Sequence, residues 1–140
     1  MSSFDLNRTG ASVLRASLGL MYPAHSVVLK YFTYTLAGTA QYFASIGLPE
    51  TLAYVVFAAE AIGGVLLVLG VQTRWVALGL IPVLLGATWA HIGNGWVFSS
   101  ANGGWEYPLY LMVISIVVAL QAPATRRSGA AAETAALARS

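Results

Sequence analysis

The sequence predicts an all-α integral membrane protein, a four-helix bundle with a short interfacial helix between the first and second spans. Three observations carry that expectation. Hydrophobic residues make up 58% of the 140 residues and charged residues only 9%, against about 45–50% and about 25% in soluble domains. The apolar residues fall in runs close to the ~20 residues that a helix needs to cross a hydrocarbon core of ~30 Å. Trp89, Trp96, Trp105 and Tyr107 gather in one connector, as rings with an apolar body and a polar edge do where hydrocarbon meets headgroups.

Composition also removes function classes. A net charge of +2, scattered along the chain, is too weak for nucleic acid. The absence of cysteine excludes disulfides, thiol redox chemistry, Cys-ligated zinc and iron–sulfur clusters. Mean hydropathy is +0.73. Any redox role must therefore borrow its electron carrier from a bound molecule or a partner.

The chain divides into a polar N-terminal leader, 1–11, a four-span domain, 12–122, and a flexible C-terminal tail, 123–140. The first span runs from about Ser12 to Leu29, and its Arg15, near the helix start, is expected to snorkel to the near surface. A basic start before an apolar run also suits a signal peptide, but no small-x-small cleavage site follows Leu29 and a retained helix is the expectation. Between Lys30 and Glu50 the positions Tyr42, Phe43 and Ile46 keep helical spacing, so the segment reads as an interfacial helix or as a plain loop. The second span, about Leu52 to Val71, carries Glu60 as its sole charge and pairs small Ala59 with Gly63. Gln72-Thr73-Arg74 is so short a connector that the third span, about Trp75 to Ile92, must run antiparallel to the second. Gly79, Gly86 and Ala90 are available there for close packing, and Pro82 for a kink. The fourth span starts at Trp105 or Tyr107 and ends near Leu120.

Orientation follows from the cations. Arg8, Arg15, Arg74, Arg126 and Arg127 fall on one side of a four-span arrangement and Lys30 on the other; short cytoplasmic segments are the ones enriched in Lys and Arg. Both termini are expected to be cytoplasmic. On a rise of 1.5 Å per residue, His25, Glu60, His91 and Glu106 then converge on the outer half of the bundle.

Glu60 is the most informative residue. A charge near the bilayer centre costs about 2.5–3.5 kcal/mol on insertion scales, so it must face the bundle, pair, or hold a proton. It reads either as a proton-exchanging carboxyl or as a structural one bonded to a neighbouring helix. With His91 and Glu106 it forms the candidate catalytic set; His25, Asn94, Trp89, Trp105 and Tyr107 are the candidate ligand-binding residues. Two lone histidines could relay protons or bracket a haem, but the usual metal clusters use three or four groups at defined spacing, so no metal site is assigned and haem is disfavoured. The glycines of Gly93-Asn94-Gly95 and Asn102-Gly103-Gly104 permit positive φ and a tight return of the loop over the helix ends. No phosphate loop, nucleophile elbow or dinucleotide fingerprint is present.

Read in order, Leu18-Gly19-Leu20 with His25, Tyr42-Phe43-Ala44-Ser45-Ile46-Gly47-Leu48-Pro49, Ala59-Glu60-Ala61-Ile62-Gly63-Gly64, Gly70 with Thr73-Arg74, His91-Ile92-Gly93-Asn94-Gly95-Trp96 and Gly103-Gly104-Trp105-Glu106-Tyr107-Pro108 together resemble the DoxX family of small bacterial membrane proteins. The likeness covers about Arg15 to Leu120. Here His25-Ser26 stands where the family has His-Gly, which weakens the case for a tight turn after that histidine. The resemblance implies a four-helix protein of the cell inner membrane, oxidoreductase labels, and an association with quinone-linked oxidation or oxidative stress. The expected function is then binding of a quinone-like or other small apolar ligand in an outer-half polar pocket, with Glu60 and His91 exchanging protons with it. The cofactor is otherwise unassigned. Two alternatives stay open: a non-catalytic membrane anchor or assembly subunit for a partner redox enzyme, and a small transporter, for which oligomers are expected.

Overall fold

The computed structural model describes residues 3–122; the tail expected over 123–140, with Arg126 and Arg127, lies outside the described residues. Every regular element among the described residues is helical. Helix α1 spans Ser3–Pro23 and continues as a π-helical segment, Ala24–Thr33. Helix α2 is Leu36–Ser45, α3 is Glu50–Leu69, α4 is Thr73–His91 with a 3₁₀ turn Ile92–Asn94, and α5 is Glu106–Gln121. The N-terminal leader is thus already helical, and α2 occupies the place expected for a short helix between the first two spans.

Local chemistry sets the boundaries. Helix α2 begins where the Thr35 hydroxyl accepts from the Gly38 N–H at 3.1 Å, satisfying one of the free donors of a first turn. Helices α2 and α3 stop in the same way. Gly47 (φ +83) and Gly70 (φ +76) take the left-handed conformation that glycine accepts without cost, and the next residues, Leu48 and Val71, donate back to Phe43 and Leu66 at 2.9 Å each. These are the paired bonds of a glycine-terminated helix. The reversal Gly70–Gln72 returns α4 antiparallel to α3.

Helix α1 packs along α3, α4 along α5, α3 meets α4 and α1 meets α5, so the four long helices close a ring. Its core is Leu18, Tyr22, Leu67, Ala77, Leu80, Leu84, Leu111, Val118 and Ala119. Small residues set the α1–α3 distance. A Cβ on Gly64 would lie 2.3 Å from Pro23 Cδ and 2.7 Å from the Gly19 carbonyl oxygen, and one on Gly19 would meet the Gly64 oxygen at 2.9 Å. Pro23 has no N–H to offer the carbonyl four residues back. That carbonyl, on Gly19, instead faces Gly64 across the contact, where only a residue without a Cβ fits. Gly63 is equally close to the Leu80 side chain on α4.

One expectation is corrected: Gly79 and Gly86 pack against nothing, since a Cβ on either would meet no atom within 4 Å. Arg15 stays at its own end of the bundle, where its Nη1 donates to the carbonyls of Leu67 and, at 2.8 Å, Val68. A cation held against the last carbonyls of a helix is favoured by their dipoles, and this one fastens α1 to the end of α3.

Two helices, α3 and α4 with its 3₁₀ turn, are long and apolar enough to cross a membrane, and α5 is a shorter apolar helix. Their most apolar windows are only 28% and 17% buried, whereas the core helix of a soluble domain is mostly covered. Val55, Ile62, Val65, Leu78, Leu85, Val113 and Ile116 all face outward, while Gly63, Gly64, Ser26 and Ser115 are buried.

Candidate functional site

The predicted polar residues fall into two groups that no hydrogen bond or ion pair described here joins. The first lies among α1, its π segment and α3. Glu60, 6% exposed, forms an ion pair with Lys30, a partner that the sequence reading had placed only as a lone outer-side cation. The π segment brings Lys30 there. Its bonds run from residue i to i+5, as in Tyr34 N–H to the Leu29 carbonyl at 2.8 Å, and it continues the helix far enough for Lys30 to follow Tyr22 and Ser26 at four-residue spacing on one face. Helix α2 closes over the base of this lysine: the buried Thr39 hydroxyl lies 3.0 Å from the Thr35 carbonyl and 3.4 Å from that of Lys30.

Three buried hydroxyls continue this stripe inward. Ser26 Oγ donates to the Tyr22 carbonyl at 3.0 Å. Ser115 Oγ donates to the Leu111 carbonyl at 2.8 Å, which leaves the Tyr22 hydroxyl as the donor in its 3.0 Å bond to Ser115. Tyr22 is 2% exposed. The departure from His-Gly to His25-Ser26 therefore produces no turn. The helix runs on in π form, and Ser26 is wholly buried on it.

The second group forms the loop after α4. His91 Nδ1 lies 3.0 Å from the Asn102 carbonyl and 3.2 Å from that of Gly103. Carbonyl oxygens only accept, so Nδ1 carries the hydrogen and a neutral His91 presents Nε2 as its basic nitrogen. Asn94 Nδ2 donates to the same Asn102 oxygen at 3.0 Å. Glu106 accepts the Phe98 N–H at 2.9 Å, and backbone bonds from Trp105 to Gly95 and from Glu106 to Trp96 close the loop at its base. Trp96 and Trp105 meet edge to face, centroids 4.5 Å apart. Gly95 (φ +88) and Gly103 (φ +74) hold the positive φ expected of the two glycine turns. Gly104 is obligatory for another reason, since a Cβ there would lie 2.2 Å from the Val97 oxygen.

His25 joins this end of the molecule. Its ring stacks on Tyr107 at 5.3 Å, its Nδ1 is 3.0 Å from the Met21 carbonyl, and the Tyr107 hydroxyl donates to Met21 Sδ at 3.0 Å. By the same reasoning its Nε2 is the basic nitrogen. Thus His25, His91, Asn94, Glu106, Trp105 and Tyr107 are gathered around one helix-end cap, whereas Glu60 belongs to the stripe between helices. Trp89 is 54% exposed on the flank of α4. Lys30, Tyr22, Ser26, Thr39 and Ser115 were missed by the sequence reading; hydroxyl residues at Ser26 and Ser115 within apolar runs were the available clue.

Two open grooves flank the molecule. One, of about 430 Å³, is apolar and lies between α3 and α4, beside Ile62, Gly63, Val76 and Gly79. The other, of about 570 Å³, is lined by Arg8, Thr9, Ser12, Val13, Arg15 and Ala16 on α1. Neither is lined by Glu60 or His91. Among the described residues no three His, Asp or Glu side chains assemble as a metal site.

Residues 10–93 match the model of the DoxX family. The chain is 37% identical over 118 residues, 84% of its own length and 81% of the relative's, to the Bacillus subtilis (strain 168) protein named "Putative oxidoreductase CatD". No solved structure matches significantly. The matched segment takes in Lys30, Glu60 and the His91 end of α4, and the chain belongs to the DoxX family.

Proposed function

We propose that this chain is a multi-pass inner-membrane protein, both termini cytoplasmic, that binds a quinone-like or other small apolar ligand beside its outer-half polar residues and exchanges protons with it. One observation carries the reading: the Lys30–Glu60 pair, set near the middle of an apolar helix and backed by buried hydroxyls. Charges in such a position are costly and, within membranes, mark proton or ligand paths far more often than they mark scaffolding. The outward-facing apolar residues of α3, α4 and α5 support the membrane setting. Arg8, Arg15 and Arg74 at one end of the ring support the orientation.

Each residue then has a definable task. Glu60 accepts or returns a proton, with Lys30 as the counter-charge that keeps the carboxylate tolerable in a dry setting. His91, its Nδ1 fixed by loop carbonyls, presents Nε2 as a second proton acceptor. Reducing a quinone consumes two electrons and two protons; these residues handle protons alone, and a chain without cysteine takes its electrons from a partner redox enzyme. Glu60→Gln tests this directly. A glutamine oxygen still accepts from Lys30, so membrane insertion is retained, while quinone-dependent turnover with the partner falls at least tenfold; unchanged turnover would sink the proton role.

The separation of Glu60 from His91 favours one second reading. In it the chain is a non-catalytic membrane anchor for the redox enzyme, with Lys30–Glu60 as an internal strut. It predicts that purified protein carries no quinone in a lipid extract yet co-purifies with its partner.

A further inference from the structure

The Lys30–Glu60 pair keeps bonding capacity that its two members do not spend on each other. An ionised carboxylate accepts at both oxygens and an ammonium carries three N–H donors. Here a single hydrogen bond joins them, from Nζ to Oε2, and among the described residues no other partner engages either head group. Every buried side-chain oxygen and nitrogen among the described residues has a hydrogen-bond partner. Glu60 Oε1 has none, so it is reached from outside the protein, and the two side chains keep 19% (Lys30) and 8% (Glu60) of their surface accessible. An unused acceptor thus lies one carboxyl group away from unused donors. Aromatic rings flank it. Phe57 stands one turn before Glu60 on the same face of α3, Tyr31 follows Lys30 on the π segment, and their ring centroids are 6.3 Å apart. Phe32 meets Tyr31 edge-on at 5.0 Å, and Tyr31 is half exposed.

The geometry points to one class of ligand for this pair: an apolar molecule whose aromatic ring carries a hydroxyl, a phenol or hydroquinone. Its O–H donates to Glu60 Oε1 and its oxygen accepts from Lys30 Nζ. The inference rests on the ligand-binding reading above and narrows it. A hydroxyl donates and accepts at one atom, so it closes a ring of hydrogen bonds over the pair. A quinone carbonyl or an ether oxygen only accepts; it can take the lysine but leaves Oε1 facing apolar surroundings, where an unpaired charged acceptor is costly. The ligand's ring meets Tyr31 and Phe57 in the offset or edge-to-face contacts that aromatic pairs prefer. The pair therefore selects the reduced, hydroxyl-bearing member of a quinone couple over the oxidised one.

Two probes of one shape test it. The detergent-purified full chain is titrated by calorimetry with para-nonylphenol and with its methyl ether, para-nonylanisole, which keeps the ring and the oxygen and lacks only the donor; micelle partitioning is measured for each. The phenol should bind at least about tenfold more tightly, the ratio that a hydrogen bond to a charged group supplies. Glu60→Gln puts an amide NH2 where Oε1 stood, so the preference should vanish while the unfolding temperature is retained. Tyr31→Ala should weaken both probes alike and leave their ratio standing. Should Glu60→Gln fail to fold, the infrared carboxylate band of the unaltered chain decides: the phenol should shift it and the anisole should not, and a band unmoved by the phenol overturns the proposal. Equal affinity for the two probes, which would mean that the pair serves water alone, or a preference that survives Glu60→Gln, also overturns it. The proton role falls separately. Lost quinone-dependent turnover in Glu60→Gln beside equal probe affinities removes the hydroxyl class and keeps proton exchange, whereas a preference for the phenol beside unchanged turnover keeps the class and removes proton exchange.

Discussion

The two polar regions of this protein are built on opposite principles. Around Glu60 the bonds that join helices are long in sequence: Lys30 to Glu60 spans 30 residues and Tyr22 to Ser115 spans 93, and at the end of α3 Arg15 to Leu67 spans 52. In the loop around His91 the bonds bridge only 8–12 residues and mostly end on backbone atoms, while Tyr107, bonded to Met21 across 86 residues, ties that end to α1. The first network holds helices to each other, so its loss is felt through the whole ring. The second folds a loop upon itself and can open without disturbing the helices.

The largest expected effect is in the first network. Lys30→Met strands a carboxylate among packed helices and should cost about 3–5 kcal/mol in detergent unfolding, whereas Lys30→Met with Glu60→Met should recover most of it, because removing both charges also removes their desolvation. Recovery of less than a third would mean that the pair is not the main partner of either side chain. Next comes Gly64→Ala. Its new methyl must displace Pro23 and the Gly19 carbonyl, a backbone shift worth about 1–3 kcal/mol; an unfolding temperature unchanged from wild type would show that α1 and α3 are not held at this distance. The smallest effect belongs to the cap. Glu106→Gln weakens the bond from the Phe98 N–H by about 1 kcal/mol or less and should raise amide exchange at Phe98 without moving the global unfolding transition. A global shift as large as that of Gly64→Ala would erase the distinction between the two regions.

What the sequence made legible is divided along the same line. The lengths of α3, α4 and α5, the hairpin of α3 and α4, the glycine turns of the cap and the inward placement of Glu60 all depend on local spacing or on a single transfer cost, and they could be read residue by residue; the early start of α1 at Ser3 and its run to Thr33 could not. The partner of Glu60 could not. Lys30 follows the apolar run at four-residue spacing from Tyr22 and Ser26, so its face could be counted, but its meeting with Glu60 depends on the helix running on past Leu29 and on how α1 crosses α3, and neither is a matter of local spacing. The partners of Arg15 were not legible, because a snorkelling cation and a cation bonded to a neighbouring helix's carbonyls leave the same trace in sequence. Gly79 and Gly86 were misread because a small residue permits close packing without supplying a neighbour to pack.

The π segment also fixes arithmetic that no side chain controls. Between Pro23 and Thr35 the chain must deliver Ser26 inward, Lys30 to Glu60 and Thr35 to the start of α2, and it does so with a slack winding that uses up more residues in each revolution than the ordinary one. Tighten that coil by one peptide unit and the ammonium swings through roughly a quarter of a circle, away from Glu60. The helix thus behaves like a screw with two thread pitches, and the electrostatic interior of the protein exists at just one of them.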